Sequence, residues 1–413
     1  MSELTLEVLQ ESVAGPAAAF RCRRRLRPSG GDGDKVFPPT FAGAVYAIEK
    51  RRLPGRNEPI TCVLLDSVQS QANRMELALQ EAVDAERIEM PLIVVDFSEH
   101  DPTGDIDADE QAGRFIDPVG TVTSLQVPHR IADAILRDSE LDGIPLRTSE
   151  RGKALNRVGL ANATPLFEIC PTALVFGMWD STGPKGGLGP KFERAMVSEI
   201  VGIDAEIGDL RRGVRRDPLE IRAAVRVRKA ANGTWTVADP ADRGAVAPSK
   251  VNHSSVPFPE RRDEKAADNY YDGVTIEYAE QITTLSLIGL RRLRFPVNGD
   301  ASPEVDDAAR TVLAALGLCA GTLAFEAGVD LRSRCLLWPD GAMQWELLDR
   351  PGVAPAMYPL TGVVAIKLLR DAIEAAKTVG LKWPTEPIVL KPSESLIRLV
   401  RLSQLEATRE EAD

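Results

Sequence analysis

The chain has 413 residues, 27% charged and 44% hydrophobic, with 50 lysines and arginines against 61 aspartates and glutamates. A net charge of −11 excludes a uniformly basic nucleic-acid coat but leaves room for a local basic groove. Five widely spaced cysteines and three histidines argue against a disulfide scaffold and a histidine-rich metal site, so no metal and no cofactor are expected.

Length divided by ~150 residues per domain gives two to three domains, or one domain with large insertions. The uncharged apolar runs Thr311–Phe325 and Pro351–Ile366 are shorter than the ~18 residues of a membrane span. The N-terminus carries Glu3, Glu7 and Glu11 and no basic n-region, which is not a secretory pattern. A cytoplasmic protein without membrane contact is expected.

Residues 1–15 read as a short helix or arm. Ala17–Arg27 places five arginines in seven residues. On a strand, Arg21, Arg23, Arg25 and Arg27 share one face, with Phe20, Cys22 and Leu26 on the other. Ser29–Gly33 is a loop. Ile60–Leu65 is a buried strand, and a helix follows at once, with Asp66 as its cap and Gln69 completing a capping-box variant. Val68, Ala72, Met75 and Leu79 form the stripe expected to be buried. Ser67, Ser70, Gln71 and Arg74 lie opposite.

Pro91–Phe97 is a second buried strand, followed by an acidic stretch, 99–117, expected as a solvated loop or insertion. Thr172–Trp179 reads as a core strand and Ser181–Lys191 as a glycine-rich loop. Phe192–Ile203 reads as a strand by its β-branched residues. Residues 211–229 are basic, with a strand expected over Leu219–Val227. Asn232-Gly233 is a hairpin signal, with a return strand over Thr234–Ala238. Val274–Phe295 is long and apolar. Ser302-Pro303 opens a helix through Leu316; a strand pair over Thr322–Leu337 and an amphipathic helix over Leu360–Thr378 follow. Without a regular βαβα alternation, the fold class expected is α+β.

Short polar side chains and free amides at the start of the 68–79 helix suit phosphate or ribose; a plain capped surface helix is the alternative. The loop Ser181–Lys191 lacks the Walker A order, yet its glycines admit close backbone approach and Lys185 and Lys191 add charge. The alternative is a plain connection. The arginine runs 21–27 and 291–294 are candidates for a nucleic-acid groove or, more blandly, solvated faces. No G-x-S-x-G, H-E-x-x-H or Cys–His pair is present, so no catalytic residue is assigned, and His129 reads as a structural or RNA-contacting residue.

The string LLDSVQSQANRMELAL, with KVFPPTF upstream, resembles the type I-G (formerly I-U) branch of CRISPR-associated RAMP proteins, the backbone subunits of Cascade-type surveillance complexes. The resemblance extends more weakly to Ser198-Glu199-Ile200 and the arginine-rich run ending in Phe295-Pro296. It implies one RNA-recognition-like (ferredoxin-like) βαββαβ palm spanning 1–413, elaborated by an acidic insertion near 99–165 and a basic thumb-like hairpin and loop near 205–272. It further implies polymerisation of several copies along one crRNA, which pairs with target DNA. Other Cascade subunits and a separate effector nuclease would be partners.

Ser70, Asn73 and Arg74 are the crRNA contacts this resemblance implies. Arg21, Arg23, Arg25, Lys185, Lys191, Arg291, Arg292 and Arg294 are the charge-based candidates for the same groove. The chain lacks the aromatic RNP string, and aromatics are only 5%, so contacts to backbone and ribose are expected to dominate over base stacking on the sheet. The competing expectations are a metal-dependent endoribonuclease that processes the guide precursor, and a protein scaffold with no RNA contact.

Overall fold

The computed structural model describes residues 3–42, 45–183, 189–207, 214–215, 217–222, 224–230, 234–251, 253, 256–257 and 273–412, and these form an α+β protein. The first half supplies α1 (Leu6–Ala14), β1 (Ala19–Pro28), β2 (Ile48–Arg51), β3 (Ile60–Asp66), α2 (Val68–Asp84), β4 (Ile93–Asp96), β5 (Thr121–Thr123), β6 (Ser139–Leu141), β7 (Ile144–Pro145), β8 (Met178–Trp179), β9 (Lys191–Phe192) and β10 (Met196–Ile203). The second supplies β11 (Tyr278–Ser286), α3 (Pro303–Glu326), β12 (Val329–Asp330), β13 (Leu336–Pro339), β14 (Gln344–Leu348), β15 (Ala356–Pro359), α4 (Gly362–Thr378), β16 (Ile388–Pro392) and α5 (Glu394–Ala412).

A nine-stranded sheet runs β12-β13-β1-β11-β10-β3-β2, with β14 pairing β1 and β15 pairing β14. Its pairings are antiparallel. Cys22 stands opposite Thr283, and Thr283 opposite Ser198, which fixes a common inner face. A second sheet, β5-β4-β16-β6-β7, contains the parallel pair β4/β16.

Alternation along β1 has the expected consequence. Phe20 and Cys22 are buried against helices and Leu26 in a second cluster with Val36, Val63 and Ile200, while Arg21, Arg23, Arg25 and Arg27 point to the other, open face. Arg24 breaks the simple pattern: it points inward, 4.8 Å from the Phe325 ring, and burial lowers its guanidinium pKa.

α3 crosses the core. It is long and apolar enough by composition to cross a membrane, but 89% of its apolar window is buried inside the protein. Gly317 and Gly321 let it lie close to the sheet, because a Cβ at Gly321 would come within 2.7 Å of Met196 and 3.1 Å of Trp345. α1, α2 and α4 pack around α3. Leu125, Val127, Leu136 and Leu146, from the segment after the acidic stretch, share this core.

Several local expectations are corrected. Ser67, not Asp66, caps α2: its hydroxyl accepts from the Ser70 amide at 3.3 Å, while Asp66 ends the preceding strand. Gln71, expected outward, is buried because it reaches across to the sheet. Thr172–Val175 is a helical turn, and only Met178–Trp179 is strand. Gly177 at φ 82° reverses the chain between them. Among the described residues of the strand expected over Leu219–Val227, only Arg226 and Val227 are strand, in a segment that runs to Lys229 opposite Trp235–Ala238. α3 runs ten residues past Leu316, which leaves only short strands in the following pair. The acidic stretch is not simply solvated. Asp101 accepts from the amides of Val119 and Gly120, and Asp109 from those of Thr103 and Gly104. Asp105 caps a helix over Ile106–Ala112. Of the basic stretch 211–229, residues 211–213, 216 and 223 lie outside the described residues.

Candidate nucleic-acid interface

The site begins at a short hairpin. Trp179 on β8 stands directly opposite Lys191 on β9, and the Lys191 ammonium lies 5.4 Å from the centre of the indole ring. Next to Trp179, the Asp180 amide donates to the Pro190 carbonyl at 3.0 Å. The Asp180 carboxylate, buried, takes both terminal nitrogens of Arg147 at 2.7 Å. A bidentate pair of this kind fixes direction as well as distance. The stem of the glycine-rich loop is therefore anchored, with the Trp179–Lys191 pair on its outside.

Beside this hairpin is a cleft of about 560 Å³. Trp179, Lys191 and Arg194 line it with His129, Arg130 and Val68, the last from the first turn of α2. Lys191 and Arg194 are exposed, and neither forms an ion pair among the described residues. Arg130 is different: its Nε and Nη2 hold the two oxygens of Glu76 at 2.6 and 2.7 Å, and its Nη1 donates to the Gly177 carbonyl at 3.0 Å. Burial pushes the Glu76 carboxyl up, to about 7, and the Arg130 guanidinium opposes that rise. A second cleft of about 330 Å³ lies on the far side of the Lys191–Ala195 segment, where Arg292 meets the exposed Glu193 at 2.9 Å.

The larger cleft opens onto the arginine-bearing sheet face. Arg21 stands opposite Thr284, and Thr284 opposite Val197, so the three share that face. Val197, 39% exposed, also lines the cleft. A continuous surface thus runs from the β1 arginines to Lys191 and Arg194. The arginines on it are partly neutralised. Arg21 pairs with Glu346, and Arg23 with Glu280 at 2.6 Å. Arg25 lies 4.3 Å from the Tyr278 ring centre and carries no ion pair among the described residues.

The remaining described candidates are not among the residues lining this cleft. Arg74 sits behind the sheet. Its Nε donates to Asp66 at 3.0 Å, and its terminal nitrogens to the carbonyls of Asp330 and Leu331 at 3.3 and 2.9 Å. Asp66 also accepts from Gln71 at 2.6 Å, and Gln71 in turn accepts from Ser198 and Gln281 at 2.8 Å. This buried chain locks the start of α2 to β10 and β11. Ser70 is half-buried and Asn73 exposed. Arg291 donates to the carbonyls of Val13, Gly15 and Ala17, tying the end of α1 to β1. Arg294 pairs with Asp306 at 3.3 Å. Lys185 lies outside the described residues.

Trp179, Arg130 and Arg194 were not singled out by sequence reasoning. The signal for Trp179 and Arg194 was their position flanking the glycine-rich loop; Arg130 had none, because its partner Glu76 is 54 residues away. No group of three or more His, Cys, Asp or Glu positioned for a metal occurs among the described residues.

An α+β fold with one sheet face open, its arginines leading into a cationic cleft, is the kind of surface that meets a polyanion. The family described as CRISPR-associated protein GSU0053 matches residues 20–207, from β1 through β10 and including both arms of the hairpin. That match covers a little under half of the chain; over those residues the chain is similar to a CRISPR-associated family, which suggests a role in CRISPR defence. No curated protein matches the chain.

Proposed function

We propose that this chain is a crRNA-binding backbone subunit of a type I-G Cascade-type complex, held on its guide by the sugar–phosphate chain. The observation that carries this reading is the cross-strand line Arg21–Thr284–Val197, which joins the β1 arginines to the cleft holding Lys191 and Arg194. A cationic furrow is what a single strand of any sequence requires. In this reading, β14, β1, β11 and β10 with α2 and α3 behind them serve as the palm, and the Arg226–Lys229/Trp235–Ala238 hairpin as the thumb. Arg21, Arg23, Arg25, Lys191 and Arg292 are the proposed phosphate contacts. Lys185 and Arg294 join them, and Ser70 and Asn73 add polar contacts from α2. Arg74 and Arg291 are the struts that hold this surface in place.

Copies of the chain polymerise along one guide and present it to target DNA beside other Cascade subunits; cleavage falls to a separate nuclease. The protein acts in the cytoplasm and is not itself an enzyme.

The test is purification of the full chain from cells carrying its repeat array. Nuclease-protected RNA of repeat-plus-spacer length is the expected result. For purified protein, log affinity for single-stranded RNA should fall with log salt at about −0.7 per phosphate neutralised. Absence of bound RNA together with a slope near zero would overturn the reading.

A further inference from the structure

We propose that Trp179 is a stacking platform for one unpaired base of the bound strand, and that Lys191 and Arg194 take the phosphates on either side of that nucleotide. The inference rests on the guide-RNA reading above but adds something that reading does not contain: a contact to a base.

Trp179 is 52% exposed, whereas Trp345 and Trp383 are buried in the core. An indole left in water gives up burial worth a few kcal/mol, so an exposed one on an anchored backbone calls for an occupant. The backbone that carries this indole is anchored on both sides. Asp180 and Arg147 anchor the residue after it. On its other side, the Gly177 turn lies so close to the β9 end that a Cβ there would be 3.0 Å from the Phe192 carbonyl. The adjoining cleft, about 560 Å³, has the dimensions of a site for a nucleotide-sized ligand.

Its charged lining is Arg130, Lys191 and Arg194 with one carboxylate, Glu193. Lys191 and Arg194 carry no ion pair among the described residues, and the neighbouring Glu193 is engaged by Arg292. Lys191 on the indole makes the Trp179 ring and a phosphate-binding ammonium one unit: a base on the ring brings its own phosphate to the cation.

Trp338 provides the contrast. It is more exposed, at 71%, but its companions at the sheet edge are the exposed Leu336 and the Arg27 guanidinium, which Asp32 and Asp340 already hold. Trp338 lacks the free cations that a nucleotide needs. Stacking on Trp179 is indifferent to base identity, because every base has a π face, so it is compatible with a guide of any sequence. It also does not depend on aromatics in the sheet, in which this chain is poor.

The test uses the full-length protein with two single-stranded RNAs of equal length and mixed sequence, one intact and one in which alternate positions are abasic. Trp179→Ala should weaken binding of the intact strand about 5- to 150-fold. It should leave the abasic strand nearly unaffected and the salt slope unchanged, because the phosphates are the same. Trp179→Phe should retain most of the affinity, which separates loss of a ring from misfolding. A 2-aminopurine placed in the strand should be quenched by the wild-type protein and not by Trp179→Ala.

The stacking inference fails if Trp179→Ala binds the intact strand as tightly as wild type, or if it weakens both strands equally. In either case, retained wild-type binding with a steep salt slope leaves the guide-RNA reading standing. If the wild-type protein binds neither strand, that reading fails and the platform with it.

Discussion

The Arg130 guanidinium holds both oxygens of Glu76, Nε to Oε1 at 2.6 Å and Nη2 to Oε2 at 2.7 Å, with both side chains almost fully buried. The contact fastens the floor of the cleft to the middle of α2. It is made from a left-handed backbone, φ 52° at Arg130, which a side-chain-bearing residue adopts only where surrounding contacts impose it.

Removing one partner leaves the other charge buried and uncompensated. Glu76→Gln should therefore lower stability by about 3–5 kcal/mol. Urea unfolding followed by circular dichroism would measure it. A loss under 1 kcal/mol would mean that Arg130 finds another partner or reaches water.

Arg74 makes three hydrogen bonds within the protein, to Asp66 and to two backbone carbonyls. Lysine cannot reproduce this fork. Arg74→Lys and Arg74→Ala should both lower the stability read from urea unfolding, by about 1–3 kcal/mol each, and leave the salt slope of RNA binding unchanged. A slope reduced by about 0.7 at wild-type stability would instead make Arg74 a phosphate contact.

Lys191 and Arg194 face one cleft and carry no ion pair among the described residues, and Glu193 on the same cleft is held by Arg292. Lys191→Ala with Arg194→Ala should reduce the magnitude of the salt slope by about 1.4, two phosphates at ~0.7 each, uniformly across RNA sequences. Equilibrium titrations at four or more salt concentrations give the slope directly. Because both side chains are exposed, the double variant should unfold at the wild-type midpoint.

All five cysteines are buried, and burial pushes the thiols of Cys22 and Cys319 up to about 12 from 9.0. Between pH 9 and 12 the native protein keeps protons that the unfolded chain has released. This contribution is complete below pH 9 and is lost as pH rises towards 12, by about 1.4 kcal/mol per thiol per pH unit at most. Cys319→Ala should therefore lose stability less steeply than wild type over that range. Iodoacetamide at pH 8 should label the native chain slowly and all five sites once it is denatured. Fast labelling of the native chain would contradict the burial.

Local chemistry was legible in the sequence where one element sufficed. The alternation of Phe20, Arg21, Cys22 and Arg23 determined which arginines face outward, because a strand's side chains alternate whatever it pairs with. Pro303 marked the start of α3, because an N1 proline acts within one turn; the Ser302 hydroxyl makes no capping hydrogen bond. The α2 cap was misplaced by one residue, since Asp66 and Ser67 are both good caps and only the strand end at Asp66 decides between them. Thr172–Val175 misled because a short apolar run has no period of its own.

Which cations are free was decided only by the tertiary structure. Nothing within residues 68–79 reveals that Arg74 meets the carbonyls of Asp330 and Leu331, more than 250 residues away, or that Arg291 closes on Val13, Gly15 and Ala17. Charge is a property of the residue, but its availability depends on partners that only the folded chain brings within hydrogen-bonding distance. The same long-range pairing places Val197 in line with Arg21 and turns scattered basic residues into one surface.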